Sequence, residues 1–171
     1  MNEKELVTRA KSGDKDAFAE LYGLYKDRLY RYAFYRLQSL SDAEDAVQDC
    51  VVSAYIQIGS VKKAEAFPAW IFRILYCTVN AQIKRQSIAR NNSNIDDMAN
   101  QLFDDSAQNT VQKTEMQNAL ASLKDDEREI VLLSVVAGFS SKEIGKIVDM
   151  TSGAVRSKLS RSLKKMKDFL E

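Results

Sequence analysis

Four carboxylates crowd one short stretch of the chain: Asp42, Glu44, Asp45 and Asp49 in "SDAEDAVQDC". Grouped carboxylates are ligands for hard divalent cations, and a bound cation can activate water against a phosphodiester. A metal-dependent nuclease using these four residues is therefore one reading. A second is electrostatic, because acids in the first turn of a helix are stabilised by its macrodipole. The third comes from spacing. On a helix, Asp45, Gln48, Asp49, Val52 and Ile56 share an outward face, where two β-branched apolar side chains gain nothing from water. An acidic rim around apolar anchors suits a protein partner.

The second chemically distinctive stretch is basic. Between Ser152 and Lys167 stand six cations, Arg156, Lys158, Arg161, Lys164, Lys165 and Lys167, and no acid. Val155, Leu159, Leu163, Met166 and Leu170 fall on the opposite stripe of the same helix and are expected to be buried. Upstream, Ser140 with Glu143 makes a capping box, Ile144, Ile147 and Val148 face inward, "VDMT" turns the chain, and Thr151 or Ser152 caps the basic helix. Two helices with a short turn, the second apolar inside and basic outside, match a helix-turn-helix whose second helix enters the major groove. Ser152, Arg156, Ser157 and Arg161 would lie nearest the bases. Lys158 and Lys164 complete the expected contacts to DNA.

A third stretch, "FPAWIFRILYCTVNAQIKRQ", interleaves aromatics with cations. Phe67, Trp70, Arg73, Lys84 and Arg85, with Lys62 and Lys63 just upstream, suit single-stranded nucleic acid: rings stack on splayed bases while cations follow phosphates. Phe67 and Trp70 read equally well as core residues.

Other chemistry is thin. The chain has no histidine, so imidazole bases, serine–histidine triads and histidine-ligated zinc are excluded. Cys50 and Cys77 cannot build a disulfide framework or a metal site, and both sit in helical apolar patterns that predict reduced, half-buried thiols. The six glycines form no phosphate-binding loop. No catalytic residue, cofactor or metal is expected.

The elements that carry these residues are helical throughout. With one proline, few glycines and 3.6-residue apolar periodicity, the 171-residue chain predicts an all-α protein. Asn2 with Glu5 opens a short helix that Gly13 closes. Asp14 opens the next, with Phe18, Leu21, Tyr22, Tyr25, Leu29 and Tyr32 as its buried stripe. Ser41 with Glu44 is expected to cap a third helix, through about Ile58, that buries Ala43, Ala46, Val47, Cys50, Val51 and Ala54. Gly59 ends that helix, and Pro68 sits in the first turn of a fourth, whose core residues are Ile71, Ile74, Leu75, Thr78 and Val79. From Ser87 the composition turns to Asn, Ser, Asp and Gln, and Asn91 to Gln112 holds four acids and no base. This predicts two small helical domains, residues 1–86 and 113–171, joined by an acidic polar linker over 87–112, with helical turns at Met98 to Phe103. The apolar run "EIVLLSVVAGF" is strand-like by propensity, but the acidic start "DDERE" and the stop at Gly138 favour a helix. Basic and acidic residues nearly cancel, 25 against 24, for a net charge of +1, so local asymmetry matters more than the total. Nothing approaches the length of a membrane span, and the N-terminal residues lack a signal peptide's apolar core, which predicts a cytoplasmic protein.

Taken together, these segments resemble bacterial RNA polymerase sigma factors of the extracytoplasmic-function group. "DAEDAVQDCVVSAY" resembles the part of sigma region 2 that docks on the polymerase clamp helices. "FPAWIFRILYCTVNAQIKRQ" resembles the part that melts and reads the minus-10 element. "SLKDDEREIVLLSVVAGFSSKEIGKIVDMTSGAVRSKLSRSLKKM" resembles region 4, which reads the minus-35 element. The resemblance implies binding to core RNA polymerase through Asp45, Gln48, Asp49, Val52 and Ile56, and to promoter DNA as duplex at minus-35 and melted strand at minus-10. It implies capture of an extruded base by the loop from Ser60 to Ala66, passage of the acidic linker near the RNA path, and an anti-sigma factor as a candidate further partner. Tyr76 and Cys77 stand where the family commonly has Arg-Asn, Leu75 where it has alanine, Asp125 where it often has proline and Gly145 where alanine is usual. The rival outside this family is a helix-turn-helix regulator of duplex DNA that never meets polymerase, and the exposed α-helical stripe at Asp45 to Ile56 distinguishes the two.

Overall fold

Residues 2–92 and 114–171 are described by the structure, a computed structural model, and every regular element among them is helical. In α1 (Glu3–Lys11) the Asn2 carboxamide accepts the Glu5 N–H at 2.8 Å. Gly13, at φ +99°, makes the left-handed turn that a Cβ would oppose. Asp14 then caps α2 (Lys15–Leu37), accepting from the Ala17 N–H at 3.1 Å.

The start of α3 (Leu40–Gln57) differs from expectation. Gln38 enters the left-handed region at φ 55° and closes α2, so the chain has already turned by Ser39. Ser39, not Ser41, is the N-cap, its hydroxyl accepting from the Asp42 N–H at 3.3 Å. Two single 3-10 turns, Ile58–Ser60 and Ala64–Ala66, lead to α4 (Phe67–Asn92). This helix continues through Ser87 to Asn92, which the composition assigned to the linker. No glycine or proline interrupts those residues, so the hydrogen-bond ladder simply extends. Met98 to Phe103 and most of the acidic linker lie outside the described residues.

The core of α1 to α4 follows the predicted stripes. Leu21, Leu29, Tyr32, Ala43, Ala46, Val47, Cys50, Ala54, Ile71, Leu75 and Val79 are fully buried, and Phe72, which the periodicity did not single out, joins them. The Cys50 thiol donates to the Ile71 carbonyl at 3.6 Å, and burial pushes its pKa up to about 12. Cys77, expected to be half-buried, is exposed.

The second half contains α5 (Glu115–Ala121), α6 (Asp125–Val135), α7 (Ser141–Val148) and α8 (Ser152–Leu170). The strand-like run is helical because its acidic start works as a terminus: the Glu127 carboxylate accepts the Lys124 N–H at 3.0 Å. Gly138 ends the segment at φ +78°. The Ser140–Glu143 capping box forms as expected, with bonds of 3.1 and 3.2 Å. Val155 and Met166 of α8 are buried, but Leu163 and Leu170, expected on the same buried stripe, are 41% and 48% exposed. Among the described residues nothing closes over that end of the helix, and both line an apolar groove of about 530 Å³ with Leu120, Val131, Val135 and Tyr35.

The halves pack directly on each other, α4 against α7 and α2 against α6. Phe72 meets Phe139 edge-on with ring centroids 4.9 Å apart. Arg28 donates to the Ala137 carbonyl at 3.0 Å. Deeper in, the buried Arg36 and Glu129 form an ion pair, and the Tyr32 hydroxyl donates to the same carboxylate.

Candidate nucleic-acid and protein interfaces

The turn between α7 and α8 is built by two backbone features. Asp149 lies in the left-handed region at φ 61°, and the Met150 N–H donates to the Gly145 carbonyl at 3.0 Å. That approach needs a glycine, because a Cβ at 145 would stand 2.4 Å from the Met150 carbonyl oxygen. Thr151 then caps α8, accepting from the Ala154 N–H at 3.2 Å. The result fixes the second helix of the pair across the first.

On α8, Arg156, Ser157, Arg161 and Lys164 are exposed on one outer face, with Ser152 half-buried at its start. The Arg156 guanidinium reaches the Ser152 hydroxyl at 3.5 Å, which leaves most of its fork free. Lys158, grouped with them from sequence, points the other way. It is half-buried and paired with Asp126, and that bond holds the Asp126 carboxyl below its usual range. Lys165 likewise pairs with Glu127 at 2.8 Å, and this contact first, then the Lys124 N–H, lowers the Glu127 carboxyl.

The α3 face is open. Asp45, Gln48 and Asp49 are exposed, and beyond them Val52 is 60% and Ile56 75% exposed, with Tyr55 beside them at 42%. Tyr55 was not singled out from sequence. Its ring edge rests on Phe18 at 5.2 Å, which props it at the margin of the stripe. The four carboxylates do not converge: Asp42 turns onto α4, where it accepts from Gln86 at 3.1 Å. Among the described residues no group of three or more His, Cys, Asp or Glu is placed to hold a metal ion. Arg85, expected with the DNA contacts, instead lines a polar pocket of about 300 Å³ with Asp45, Gln48, Asp49 and Gln82. It belongs to the α3 side of α4.

The third constellation is split by the fold. Lys62, Lys63 and Lys84 are exposed, but Phe67 is fully buried against Tyr25, ring centroids 5.5 Å apart, and is a core residue rather than a stacking platform. Its position as the first residue of α4 carries its ring inward. Trp70 is half-buried and tilted on Phe67 at 5.8 Å. Along α4, Trp70, Arg73, Cys77, Asn80 and Lys84 follow one another at helical spacing, so they form one stripe. Arg73 is already engaged, paired with Asp149 at 2.8 Å and donating to the Ile147 carbonyl.

Sequence reasoning missed the polar cluster between the halves. Arg36 bonds Asn80 at 2.7 Å and the Tyr32 hydroxyl at 2.8 Å while pairing with Glu129. Burial pushes the Glu129 carboxyl above its ordinary value even though Arg36 and Tyr32 favour its charged form. Burial also raises Tyr32 well above the usual phenol value. In the sequence Glu129 is only the last acid of the start "DDERE", and nothing local separates it from the acids before it.

Residues 21–88 match the family described as Sigma-70 region 2, and residues 113–166 match Sigma-70, region 4. The chain is 27% identical over 173 residues to the ECF RNA polymerase sigma factor SigW of Bacillus subtilis, covering 92% of this chain and 91% of that protein. It is 26% identical over 174 residues to the ECF RNA polymerase sigma-E factor of Escherichia coli K12, covering 95% and 91%. Among solved structures, CnrH in complex with the cytosolic domain of CnrY shares the fold at a TM-score of 0.74 and 22% identity, over 98% of this chain and 96% of that one. The sigma factor RpoE of Bartonella quintana, in complex with the anti-sigma factor NepR, gives 0.71 and 22%, over 90% and 96%. Two region matches in order, near-full-length relatives and an all-helical fold with a helix-turn-helix converge on one conclusion: the chain belongs to the sigma-70 family of bacterial RNA polymerase sigma factors, in its extracytoplasmic-function group.

Proposed function

We propose that this chain docks on core RNA polymerase through Asp45, Gln48, Asp49, Val52 and Ile56, reads the duplex minus-35 element with the outer face of α8, and captures the melted minus-10 strand with α4 and the loop from Ser60 to Ala66. As a sigma factor it directs promoter-specific initiation. In the residue-level reading, Lys62, Lys63, Lys84 and Lys164 contact phosphates and supply much of the affinity, while Arg156 and Arg161 reach base edges. Extruding a base costs a few kcal/mol, which stacking beside Trp70 and contacts from the loop offset. The working compartment is the cytoplasm, where polymerase and promoter are found, and the chemistry of RNA synthesis belongs to the polymerase.

The observation that carries this reading is the exposure of Val52 and Ile56 on the acid-rimmed face of α3. A regulator needing only duplex DNA has no use for it. The test is co-purification with core polymerase followed by permanganate footprinting of promoter thymines. Stable holoenzyme and reactive thymines are expected. Alanine at Lys62, Lys63 and Trp70 should reduce thymine reactivity more than closed-complex binding, and equal loss in both would reduce these residues to phosphate or fold contacts.

A further inference from the structure

Strand capture has two members, the loop from Ser60 to Ala66 and the Trp70 ring near the start of α4, and α1 reaches both. It packs directly on the two 3-10 turns that bracket the loop, Ile58–Ser60 and Ala64–Ala66. Inside the loop Val61 is buried and its N–H donates to the Ile58 carbonyl at 3.2 Å, which leaves Lys62 and Lys63 exposed beside it. The loop therefore has a seated side and an open one.

The ring is reached through contacts in series. Trp70 lies tilted on Phe67 with ring centroids 5.8 Å apart, and Tyr25 holds the fully buried Phe67 edge-on at 5.5 Å. Tyr25 is itself fixed on two sides. The Arg28 guanidinium lies 4.5 Å from its ring centroid, and its hydroxyl donates to the carboxylate of Glu3, in the first turn of α1. A ring covered on its face and bonded at its hydroxyl has one orientation left. Tyr25 is only 4% exposed, so without Glu3 its hydroxyl must turn to find water. A close-packed interior transmits such a turn to the next ring, here Phe67, and Phe67 backs Trp70.

We propose that α1 is the positioning element of strand capture: the helix seats the loop, and Glu3 acts through Tyr25 and Phe67 to set the Trp70 ring. Glu3 and Tyr25 are then positioning residues that never touch DNA. This rests on the assignment of α4 and the loop as strand reader made above.

Trp70 is the only tryptophan of the chain, so tryptophan fluorescence of the free protein reads that ring alone. Glu3→Ala and Tyr25→Phe are expected to shift its emission maximum and raise its quenching by acrylamide. Glu5→Ala, which removes an exposed carboxylate from the same first turn, should do neither. Glu3→Gln keeps an oxygen that accepts from Tyr25 and should retain the unmodified spectrum. In the holoenzyme, permanganate reactivity of promoter thymines should fall at least about threefold for Glu3→Ala and Tyr25→Phe, a part of what base–aromatic stacking supplies, with closed-complex binding unchanged. An unmoved spectrum, an equal shift from Glu5→Ala, or a moved ring that keeps full thymine reactivity where Trp70→Ala loses it would each overturn the proposal. If Tyr25→Phe lowers the melting temperature, Glu3→Ala, at a half-buried position, must still move the spectrum, and its failure is equally decisive. Failure of the strand-reading assignment looks different: Trp70→Ala would itself leave thymine reactivity unchanged.

Discussion

Val52 and Ile56 allow docking to be separated from folding. Both face solvent, at 60% and 75% exposure, so cutting them to alanine removes almost nothing from the core and raises helix propensity. Stability should stay within about 0.5 kcal/mol of the unmodified chain. Against a partner the balance changes. At about 0.8 kcal/mol per buried methylene-sized group, scaled by the surface still open to cover, Val52→Ala forfeits about 1 kcal/mol and Ile56→Ala about 2. Together that is about 3 kcal/mol, or a polymerase dissociation constant raised about a hundredfold. Titration of fluorescently labelled core polymerase with the double variant measures it, with thermal melting as the control. Arginine at Asp45 and Asp49 should abolish the same binding through charge. A polymerase affinity for the alanine double variant unchanged beyond a few-fold would refute α3 as the docking face, and a loss that tracked a lower melting temperature would mean the side chains support the fold instead.

Other outcomes follow from single contacts. Gly145→Ala, although it restores the residue usual in the family, should destabilise the second half by about 1–3 kcal/mol in thermal unfolding, because its Cβ meets the Met150 carbonyl at 2.4 Å; a neutral result would mean that the turn relaxes freely. Arg156→Ala and Arg161→Ala should each alter the sequence recovered from a randomised minus-35 selection, whereas Lys164→Ala should only weaken binding and lower the salt slope by about one; uniform loss in all three would make α8 a phosphate clamp. Acid should weaken the second half: Asp126 and Glu127 are held below their unfolded values, so their contribution is present above about pH 4 and is lost as pH falls through the folded values. The stability gap between the unmodified chain and Lys165→Met, about 1 kcal/mol at neutral pH for a half-exposed pair, should therefore close in acid, and a gap constant with pH would break the linkage.

Local signals in the sequence were read well where the physics is local. Asn2, Ser140 with Glu143, and Thr151 cap helices because a side-chain oxygen satisfies an N–H three residues on, which depends on no distant residue. The α3 cap was misplaced by two residues since Ser39 and Ser41 are both good caps, and only the left-handed Gln38 decides between them. Periodicity could not say whether Phe67 and Trp70 face bases or core, because an aromatic beside a cation has the same pattern in either setting. Arg85 shares a pocket with Asp45 and Asp49, a neighbourhood that the pattern of α4 alone could not show because those acids come from another helix. Least legible was the polar cluster between the halves. Tyr32 and Glu129 lie 97 residues apart, and neither helix needs the other to form.

The two cysteines differ in a way that makes the chain a ready substrate for site-selective labelling. Cys50 is sealed under α4, and burial pushes its pKa up to about 12, which disfavours the thiolate. Alkylating reagents and oxidants act on the thiolate and need access to it, so Cys50 stays inert while the fold persists. Cys77 stands exposed on α4, one residue beyond Tyr76, which lines a cleft between the halves. A maleimide dye added to the natural sequence thus reports from a single position on the very helix assigned to strand capture, and reaction at a second thiol becomes a direct clock for global unfolding.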